Sequence, residues 1–280
     1  EDRPGKVGEP LPLLIPHPTL THPRTGYALA KDEVNHVGEP IVMVVARDRY
    51  VAEDACGRIR VGYETLPVVV GVEAARSGDA LVHPDVPGNV AAHMLQEVGD
   101  VESALAAAPH TLTLDLAVER SACMPMEGKG VYARWDADEG HLRMYSSTQT
   151  STGVRAAVAA KLELPLSKVD CVAPDVGGGF GSKLDIYAEE AICLALARRL
   201  GRPVTWTASR SEDYQATIHG RDLIQDVEIA ATSDGRMLGM RVDLLSDMGG
   251  YLQLLTPSIP LLGRYMYPGL YKFASQSFHC

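Results

Sequence analysis

The residues best suited to hold a ligand lie in one glycine-rich segment, DVGGGFGSKLD, which spans residues 175–185 and is called the glycine loop below. It contains four glycines, one phenylalanine among them and a single lysine. Glycine loses more conformational entropy on folding than other residues, so such a cluster indicates left-handed backbone or close approach to another group. The segment therefore predicts either a ligand-binding loop or a tight turn without a ligand.

Two nucleotide-binding patterns can be tested against this loop. The phosphate-binding pattern G-x-x-x-x-G-K-[ST] fails because Ser182 precedes Lys183 and Leu184 follows it. The dinucleotide pattern G-x-G-x-x-G fits Gly177 and Gly179 but meets Ser182 where the third glycine belongs. The match to a nucleotide site is therefore weak.

The elements around the glycine loop predict its position in the fold. The segment KVDCVAPD, residues 168–175, is typical of a strand, and YAEEAICLALARRLG, residues 187–201, is typical of a helix that ends at Gly201. Backbone N–H groups at a helix N-terminus point outward and can hold an anionic group. A strand-to-helix connection at this place is compatible with a ligand-binding loop and with a tight turn without a ligand. Phe180 among the glycines and STQ, residues 147–149, at the end of a nearby predicted strand favour the ligand-binding interpretation.

The rest of the second part of the chain also predicts a mixed α/β (α+β) fold. Alternating apolar residues predict strands, a Ser or Thr before an alanine-rich run predicts a helix, and the turn SDGR predicts a hairpin. The predicted segments are strands in 110–120, 129–149 and 203–209, a helix in 151–164 and a hairpin in 221–247.

The first part of the chain predicts a smaller α/β domain. Residues 39–48, EPIVMVVARD, form an apolar run typical of a buried strand, a helical pattern begins at Arg49, and residues 59–64, IRVGYE, resemble a second strand. A turn-rich stretch follows, so we expect a domain boundary near Asn89. This divides the chain into residues 1–89 and 90–280.

Composition narrows the class of protein. The chain has 280 residues, 46% of them hydrophobic and 22% charged, enough for a sizeable core and two globular domains. A formal net charge of −10 and the lack of Lys/Arg runs argue against nucleic acid as a partner. The apolar stretches are too short for a bilayer span and the first ten residues lack a secretory apolar core. A cytoplasmic location without a membrane span is expected.

The cysteines predict reduced thiols. They are odd in number, widely spaced and contain no C-x-x-C pair, which argues against a disulfide framework and against a zinc or iron–sulfur site within the chain. They are Cys56, Cys123, Cys171, Cys193 and Cys280.

Several motifs together carry a family resemblance. STQTSTGVR, KVDCVAPDVGGGFGSK, LGRPVTWTASRSED, HGRD and DGRMLGMRVDLLSDMGGY occur in this order and spacing. They resemble the first molybdopterin-binding domain in the large subunit of the xanthine oxidase family of molybdenum hydroxylases, nearest to the branch of aerobic carbon monoxide dehydrogenase and isoquinoline oxidoreductase. Upstream, VGEPIVMVVARDRYVAEDACGRIRVGYETLPVVV is similar to the family's α/β hammerhead domain, which we expect to be incomplete at its N-terminus.

The resemblance implies a cofactor and the residues that hold it. The cofactor is molybdopterin carrying molybdenum, with the cytosine dinucleotide form as one option, and it needs no direct protein ligand to the metal. Gly178, Gly179, Phe180 and Gly181 are implied to lie beside it, and the Gln149 amide to donate towards an oxo group of the metal. Without the resemblance, Gln149 is an ordinary exposed glutamine at the end of a strand.

The resemblance also suggests roles around the substrate. Arg221, in HGRD, corresponds to an arginine that faces the substrate pocket in purine-oxidising members, where it could stabilise negative charge on the substrate. The alternative is a surface salt bridge with Asp222 or Glu212. Glu127 falls near a family glutamate to which we assign a supporting role. Leu184 replaces the glutamate of purine-oxidising members, which argues against a purine substrate.

The functional prediction follows from what is present and what is missing. The family's general base is a glutamate in a G-x-G-E context, and this sequence contains no such motif. We expect that base, the second cofactor-binding half and the 2Fe-2S and FAD modules on partner chains or other segments, so the chain alone is expected to be inactive. It would then form part of a molybdenum-dependent oxidoreductase acting on a small molecule. The alternative is a scaffold or assembly module without stable cofactor binding; Gln149 and the costly glycines favour the enzyme.

Overall fold

A computed structural model describes residues 6–13, 15–253 and 255–280. Residues 1–5, at the start of the predicted 1–89 domain, lie outside this description. The chain forms two compact units: the first unit comprises Glu1–Pro12, Thr25–Val68 and Cys123–Ile218, and the second unit comprises Leu13–Arg24, Val69–Ala122 and His219–Cys280. The boundary near Asn89 stays a prediction.

The first unit contains a four-stranded sheet and four helices. Its elements are α1 (Arg49–Cys56), β4 (Gly130–Asp136), β5 (His141–Ser146), α4 (Ser151–Lys161), β6 (Val169–Val172), α5 (Ala188–Leu200), β7 (Val204–Thr207) and α6 (Arg210–Ala216), with a short 3-10 turn at Leu166–Lys168. The strand order is β6-β5-β4-β7, with β5 and β6 parallel and the other two pairs antiparallel.

Sequence patterning explains this sheet. Side chains alternate in β5, where Leu142 and Met144 are fully buried, because one face of the strand lies against helices and the other faces outward. The helix α4 is the crossover that lets β6 run parallel to β5. The helix α5 buries Cys193 and Leu194 and packs on β4 and β5. The predicted strands and helices of this region are confirmed, and α5 ends at Gly201 in the left-handed conformation.

The second unit contains a five-stranded sheet. Its elements are α2 (Val72–Ser77), β1 (Leu95–Val98), α3 (Val101–Ala107), β2 (His110–Val118), β3 (Ser121–Ala122), β8 (His219–Gly220), β9 (Leu223–Ala231), β10 (Met237–Ser246), α7 (Ser258–Met266) and β11 (Ser275–His279), with a 3-10 turn at Pro87–Asn89. The strand order is β1-β11-β10-β9-β2, and β3 pairs separately with β8.

The core of the second unit lies over the middle of this sheet. The predicted hairpin is confirmed as β9 and β10, whose inward residues Val227 and Val242 join a buried cluster with Leu261 and Phe278. The strand β2 is present as predicted, but it is exposed along its whole length rather than half-buried. The reason is its place at the sheet edge, while α3 packs mainly on β9, β10 and β11.

The predicted strands of the first 89 residues are wrong. Residues 39–48 and 59–64 have no strand assignment, and only α1 forms between them, capped by the Asp48 carboxylate, which accepts from the Val51 N–H. An apolar run favours an extended backbone, but a strand also needs a ladder partner. Among the described residues, neither run forms such a ladder. In the same described part of the chain, no helix has the length and apolar character needed to cross a membrane.

Candidate functional site

The glycine loop connects β6 to α5, so its predicted strand-to-helix position is confirmed. The helix does not begin directly after the glycines, however, because α5 starts at Ala188. The Tyr187 N–H at this start already donates to the Glu190 carboxylate at 3.0 Å. The helix N-terminus is therefore separated from the glycines, and the groups that the loop offers to a ligand are its own.

The loop backbone adopts left-handed conformations, which require either glycine or contacts that stabilise another residue in this conformation. Gly178 and Gly181 both have φ of 96°, and Phe180 between them has φ of 53°. A non-glycine residue with positive φ is uncommon and marks a constrained position. The Phe180 carbonyl accepts from the Cys123 thiol at 3.0 Å, while the residue as a whole is 74% exposed. The chain thus fixes the Phe180 backbone and presents its ring to solvent.

The glycines of the loop are required for different reasons. A Cβ atom on Gly179 would lie 2.2 Å from the Gln149 side-chain oxygen, so Gln149 fills the space that a side chain would need. A Cβ on Gly178 would lie 3.1 Å from the Phe180 ring. A Cβ on Gly181 would meet nothing within 4 Å. Gly181 is therefore the glycine that faces open space.

Gln149 lies between β5 and α4 and is bonded to the loop through one end of its side chain. Its Oε1 accepts from the Gly181 N–H at 3.1 Å and from the Lys183 N–H at 3.3 Å, and its own backbone N–H donates to the Lys183 carbonyl at 2.9 Å. The carboxamide NH2 has no acceptor among the described residues, and the side chain is exposed. Gln149 therefore keeps a neutral pair of donors available.

Three consecutive backbone N–H groups of the loop are also available. In the described part of the chain, the amides of Gly178, Gly179 and Phe180 have no acceptor, although their neighbours on either side do. Successive N–H groups around left-handed residues form concavities that bind anionic oxygen atoms. Gly179 is buried and Gly178 is half-buried, and a donor without an acceptor at such a position is unfavourable, so these two amides in particular suit a ligand oxygen.

An ion pair closes the loop at its base. The Lys183 side chain has no exposed surface, and its Nζ donates to Oε2 of Glu127 at 2.7 Å. The same oxygen accepts from the Gly177 N–H at 2.8 Å. Burial, the largest influence, favours the neutral form of Glu127, but the Lys183 ammonium and the Gly177 N–H together lower its pKa below the ordinary value. The pair thus holds a carboxylate and an ammonium together.

A second buried contact supports the loop after its glycines. The Tyr187 hydroxyl donates to the Ser182 carbonyl at 2.5 Å and accepts from the Ile218 N–H at 3.1 Å. Burial, the largest influence, raises the Tyr187 pKa well above its ordinary value. The Lys129 Nζ lies 3.1 Å from the centroid of the Tyr187 ring, an arrangement typical of a cation–π contact. Tyr187 therefore anchors the loop as a neutral hydroxyl.

Arg221 lies in the second unit, between β8 and β9. It has φ of 73° and is exposed. Asp222, one of the two partners considered for a salt bridge, pairs with Arg120 at 3.1 Å, and the Glu212 carboxylate accepts from the Ser209 N–H at 2.7 Å. Within the residues that the structure describes, Arg221 has no ion pair.

Sequence reasoning gave no role to Lys183, Tyr187 or Cys123. Lys183 is visible in the sequence as the single cation of the loop, but no local pattern joins it to Glu127, which lies 56 positions away. Tyr187 and Cys123 gave no comparable signal, because their partners are backbone carbonyls that any residue supplies. No group of three or more His, Cys, Asp or Glu side chains among the described residues is arranged to hold a metal ion.

Two family descriptions match the chain. "Molybdopterin cofactor-binding domain" matches residues 82–280, and "Aldehyde oxidase and xanthine dehydrogenase, a/b hammerhead domain" matches residues 14–67. The first match includes the glycine loop and the strands of all three sheets, and it contains Gln149 and Arg221.

Curated relatives and solved structures agree with this match. The nicotine 6-hydroxylase large subunit of Paenarthrobacter nicotinovorans is 34% identical over 223 residues, which are 80% of this chain and 27% of the relative. The carbon monoxide dehydrogenase large chain of Hydrogenophaga pseudoflava is 34% identical over 237 residues, with 80% and 30% covered. The crystal structure of quinoline 2-oxidoreductase from Pseudomonas putida 86 superposes with a TM-score of 0.88 at 30% identity, covering 99% of this chain and 35% of that chain. The chain thus spans about a third or less of the length of these proteins.

Proposed function

Because the chain belongs to the xanthine oxidase family of molybdenum hydroxylases, we propose that it holds one side of a molybdopterin cofactor in an oxidoreductase. The observation that carries the proposal is the set of free donors in the first unit: the amides of Gly178, Gly179 and Phe180 and the carboxamide NH2 of Gln149. Oxo and phosphate oxygens are the acceptors that such donors suit.

The residues present fit this group. Gly181 follows the free amides in the chain and has open space where a Cβ atom would lie, so no side chain of residue 181 blocks an approach to the loop there. When bound, the cofactor supplies a redox-active molybdenum centre with oxygen ligands. The roles of this chain are to donate hydrogen bonds from the loop amides and Gln149 and, through the exposed Phe180 ring, to exclude water from that side.

The charge state of the loop supports the same role. Its one cation, Lys183, is fully buried and paired with Glu127, so the free donors of the loop and of Gln149 are neutral. A neutral donor orients an oxo group without adding positive charge beside a redox centre, where surrounding hydrogen bonds tune the metal. We infer that the buried ion pair keeps the lysine charge away from the cofactor.

Arg221 is proposed as the catalytic residue of this chain, by contact with the substrate. It is exposed and without an ion pair among the described residues, so its charge is available to an anionic group that develops on the substrate. The substrate is a small molecule, and Leu184 argues against a purine. The general base, the second cofactor-binding half and the 2Fe-2S and FAD modules would lie on other chains or segments, and the assembly would be cytoplasmic and active only when complete.

Metal analysis tests the proposal. The assembled protein that contains this chain is purified, and molybdenum is measured per chain in the wild type, in Gln149→Ala and in the control Gln215→Ala, an exposed glutamine of the same unit. We expect molybdenum in the wild type and the control and less of it, or slower turnover, in Gln149→Ala. Absence of molybdenum from a folded wild-type assembly would favour the scaffold alternative.

A further inference from the structure

We propose that Glu127 and Lys183 are positioning residues that clamp both ends of the glycine loop and thereby hold its three free amides in a fixed array. The inference rests on the proposed function for its purpose. The clamp itself is a property of this chain alone and can be tested without the cofactor.

The first end of the loop is fixed by two reciprocal hydrogen bonds. Gly177 donates its N–H to Oε2 of Glu127 at 2.8 Å, and Glu127 donates its backbone N–H to the Gly177 carbonyl at 3.3 Å. A Cβ on Gly177 would lie 2.6 Å from the Glu127 Cβ, so the two backbones approach more closely than any other residue at 177 would allow. Glu127 therefore holds the loop at the residue before its first free amide.

The second end is fixed through Lys183. Its backbone carbonyl accepts from the Gln149 N–H at 2.9 Å and from the Thr148 hydroxyl at 3.2 Å. Its buried side chain places Nζ 2.7 Å from Oε2 of Glu127, the oxygen that also accepts from the Gly177 N–H. One carboxylate oxygen thus joins residue 177 to residue 183, and the free amides lie between them.

The clamp adds to the bond from the Cys123 thiol to the Phe180 carbonyl, because the hydrogen bonds inside the loop do not engage its free amides. Inside the loop, Ser182 donates to the Gly179 carbonyl from its N–H at 2.9 Å and from its hydroxyl at 2.8 Å. These bonds shape the end of the loop but do not touch the amides of Gly178 and Phe180. Donors contribute most to binding when their geometry is fixed before the ligand arrives. The clamp supplies that fixation.

The two partners of the clamp are buried to different extents, and this predicts an asymmetry between variants. The Lys183 side chain has no exposed surface, whereas that of Glu127 is 39% exposed. Removing the Glu127 charge leaves a buried ammonium without a counter-ion, while removing the Lys183 charge leaves a carboxylate that water can reach. Glu127→Gln should therefore loosen the loop more than Lys183→Met, and adding Lys183→Met to Glu127→Gln should partly restore it.

Hydrogen exchange of backbone amides, followed by mass spectrometry in the full assembly that carries this chain, measures the loop directly. For Glu127→Gln we expect exchange in residues 175–185 to be faster by about tenfold or more, because loss of one partner of a buried ion pair weakens local structure. The double variant Glu127→Gln/Lys183→Met, which buries no unpaired charge, should exchange more slowly than Glu127→Gln. Glu53→Gln, which removes the carboxylate of the exposed pair with Arg49, is the matched control and should leave residues 175–185 unchanged.

The outcomes separate the clamp from the proposed function. Unchanged exchange of residues 175–185 in Glu127→Gln, or a double variant looser than both single variants, would overturn the clamp even if the wild type carries molybdenum. Faster exchange with the expected rescue would support the clamp even if the wild type carries none. If Glu127→Gln does not fold, Lys183→Met is compared with the double variant. The double variant should exchange faster, because it also lacks the carboxylate that accepts from the Gly177 N–H, and equal rates would contradict the clamp. Where molybdenum is present, the molybdenum content and the values of kcat and KM should change in the same order among the variants as the exchange rates of residues 175–185.

Discussion

Gln149 and Gly179 occupy complementary space, since a Cβ atom on Gly179 would lie 2.2 Å from Oε1 of Gln149 and 2.8 Å from its Cγ. Real Cβ atoms do not approach other heavy atoms so closely. Residue 179 must therefore lack a side chain as long as the Gln149 side chain occupies this space. The bonds from Oε1 to the loop amides hold Gln149 in this place. The orientation of the Gln149 NH2 group is thus set jointly by the loop and by the missing side chain at 179.

This relationship predicts the effect of one methyl group. Gly179→Ala should displace the Gln149 side chain and reduce molybdenum content or turnover as Gln149→Ala does. Gly62→Ala, at a glycine with open space around its Cβ position, should change neither. The steric conflict in Gly179→Ala should also lower the melting temperature. The double variant Gly179→Ala/Gln149→Ala removes this conflict, so its melting temperature should return towards the wild-type value while its cofactor retention should not. A Gly179→Ala protein with wild-type molybdenum content and turnover would contradict the interpretation.

Loss of the Gln149 donor should act on the reaction more than on the fold. The side chain is exposed, and the loop keeps its clamp and its Tyr187 anchor without it. By analogy with oxyanion-hole donors, we expect a decrease in kcat of about 10²–10³-fold, or about 2.7–4 kcal/mol. Steady-state kinetics of Gln149→Ala corrected for molybdenum content provide the measurement; an unchanged kcat argues against contact with the cofactor.

The Glu127 carboxylate predicts how the loop responds to acid. Its pKa is lowered in the folded chain, so its contribution to stability is complete above the ordinary carboxyl pKa, at roughly pH 4–5, and is lost as pH falls through the lower folded value. Wild-type and Glu127→Gln proteins should therefore differ in melting temperature by a constant amount near neutral pH, and the difference should shrink only below the ordinary range. A difference that already shrinks between pH 8 and pH 6, measured by thermal unfolding, would show that another group is responsible.

The Tyr187 hydroxyl should contribute to the free energy of unfolding. Tyr187→Phe removes the donor to the Ser182 carbonyl and the acceptor of the Ile218 N–H, and both partners then lack a bond. A buried polar group without its partner costs about 1–3 kcal/mol, so chemical denaturation should show a loss of unfolding free energy in this range. Tyr63→Phe, at an exposed tyrosine, is the control and should be neutral. Equal stability of both variants would exclude the anchoring role.

Arg221 should affect turnover and leave the cofactor in place. It is exposed and has no ion pair among the described residues, so Arg221→Gln should fold and retain wild-type molybdenum content. If it stabilises charge on the substrate, kcat/KM should fall, and Arg221→Lys should recover only part of the loss because lysine lacks the planar fork. Wild-type kcat/KM in Arg221→Gln would remove it from the catalytic residues.

The sequence was most informative where local pattern and structure coincide. The α5 helix and the β9–β10 hairpin follow from periodicity, capping and turn residues, which act within a few positions. Residues 39–48 carry a strand-like pattern but form no ladder, because pairing depends on a second segment that the local pattern does not specify. The burial of Lys183 was beyond prediction for the same reason, since its partner Glu127 lies 56 positions away.

The distance along the chain between Glu127 and Lys183 also implies an order of events. Glu127 precedes β4, Lys183 follows β6, and β4, β5 and β6 are adjacent in one sheet. We therefore expect the ion pair to close after that sheet and its crossover helix α4 have formed. Contacts between distant positions form late, because ordering the intervening chain is entropically unfavourable. We therefore expect the array of free amides to form after the sheet of the first unit. A cofactor that needs this array would be inserted into a folded protein rather than acting as a template on which the chain folds.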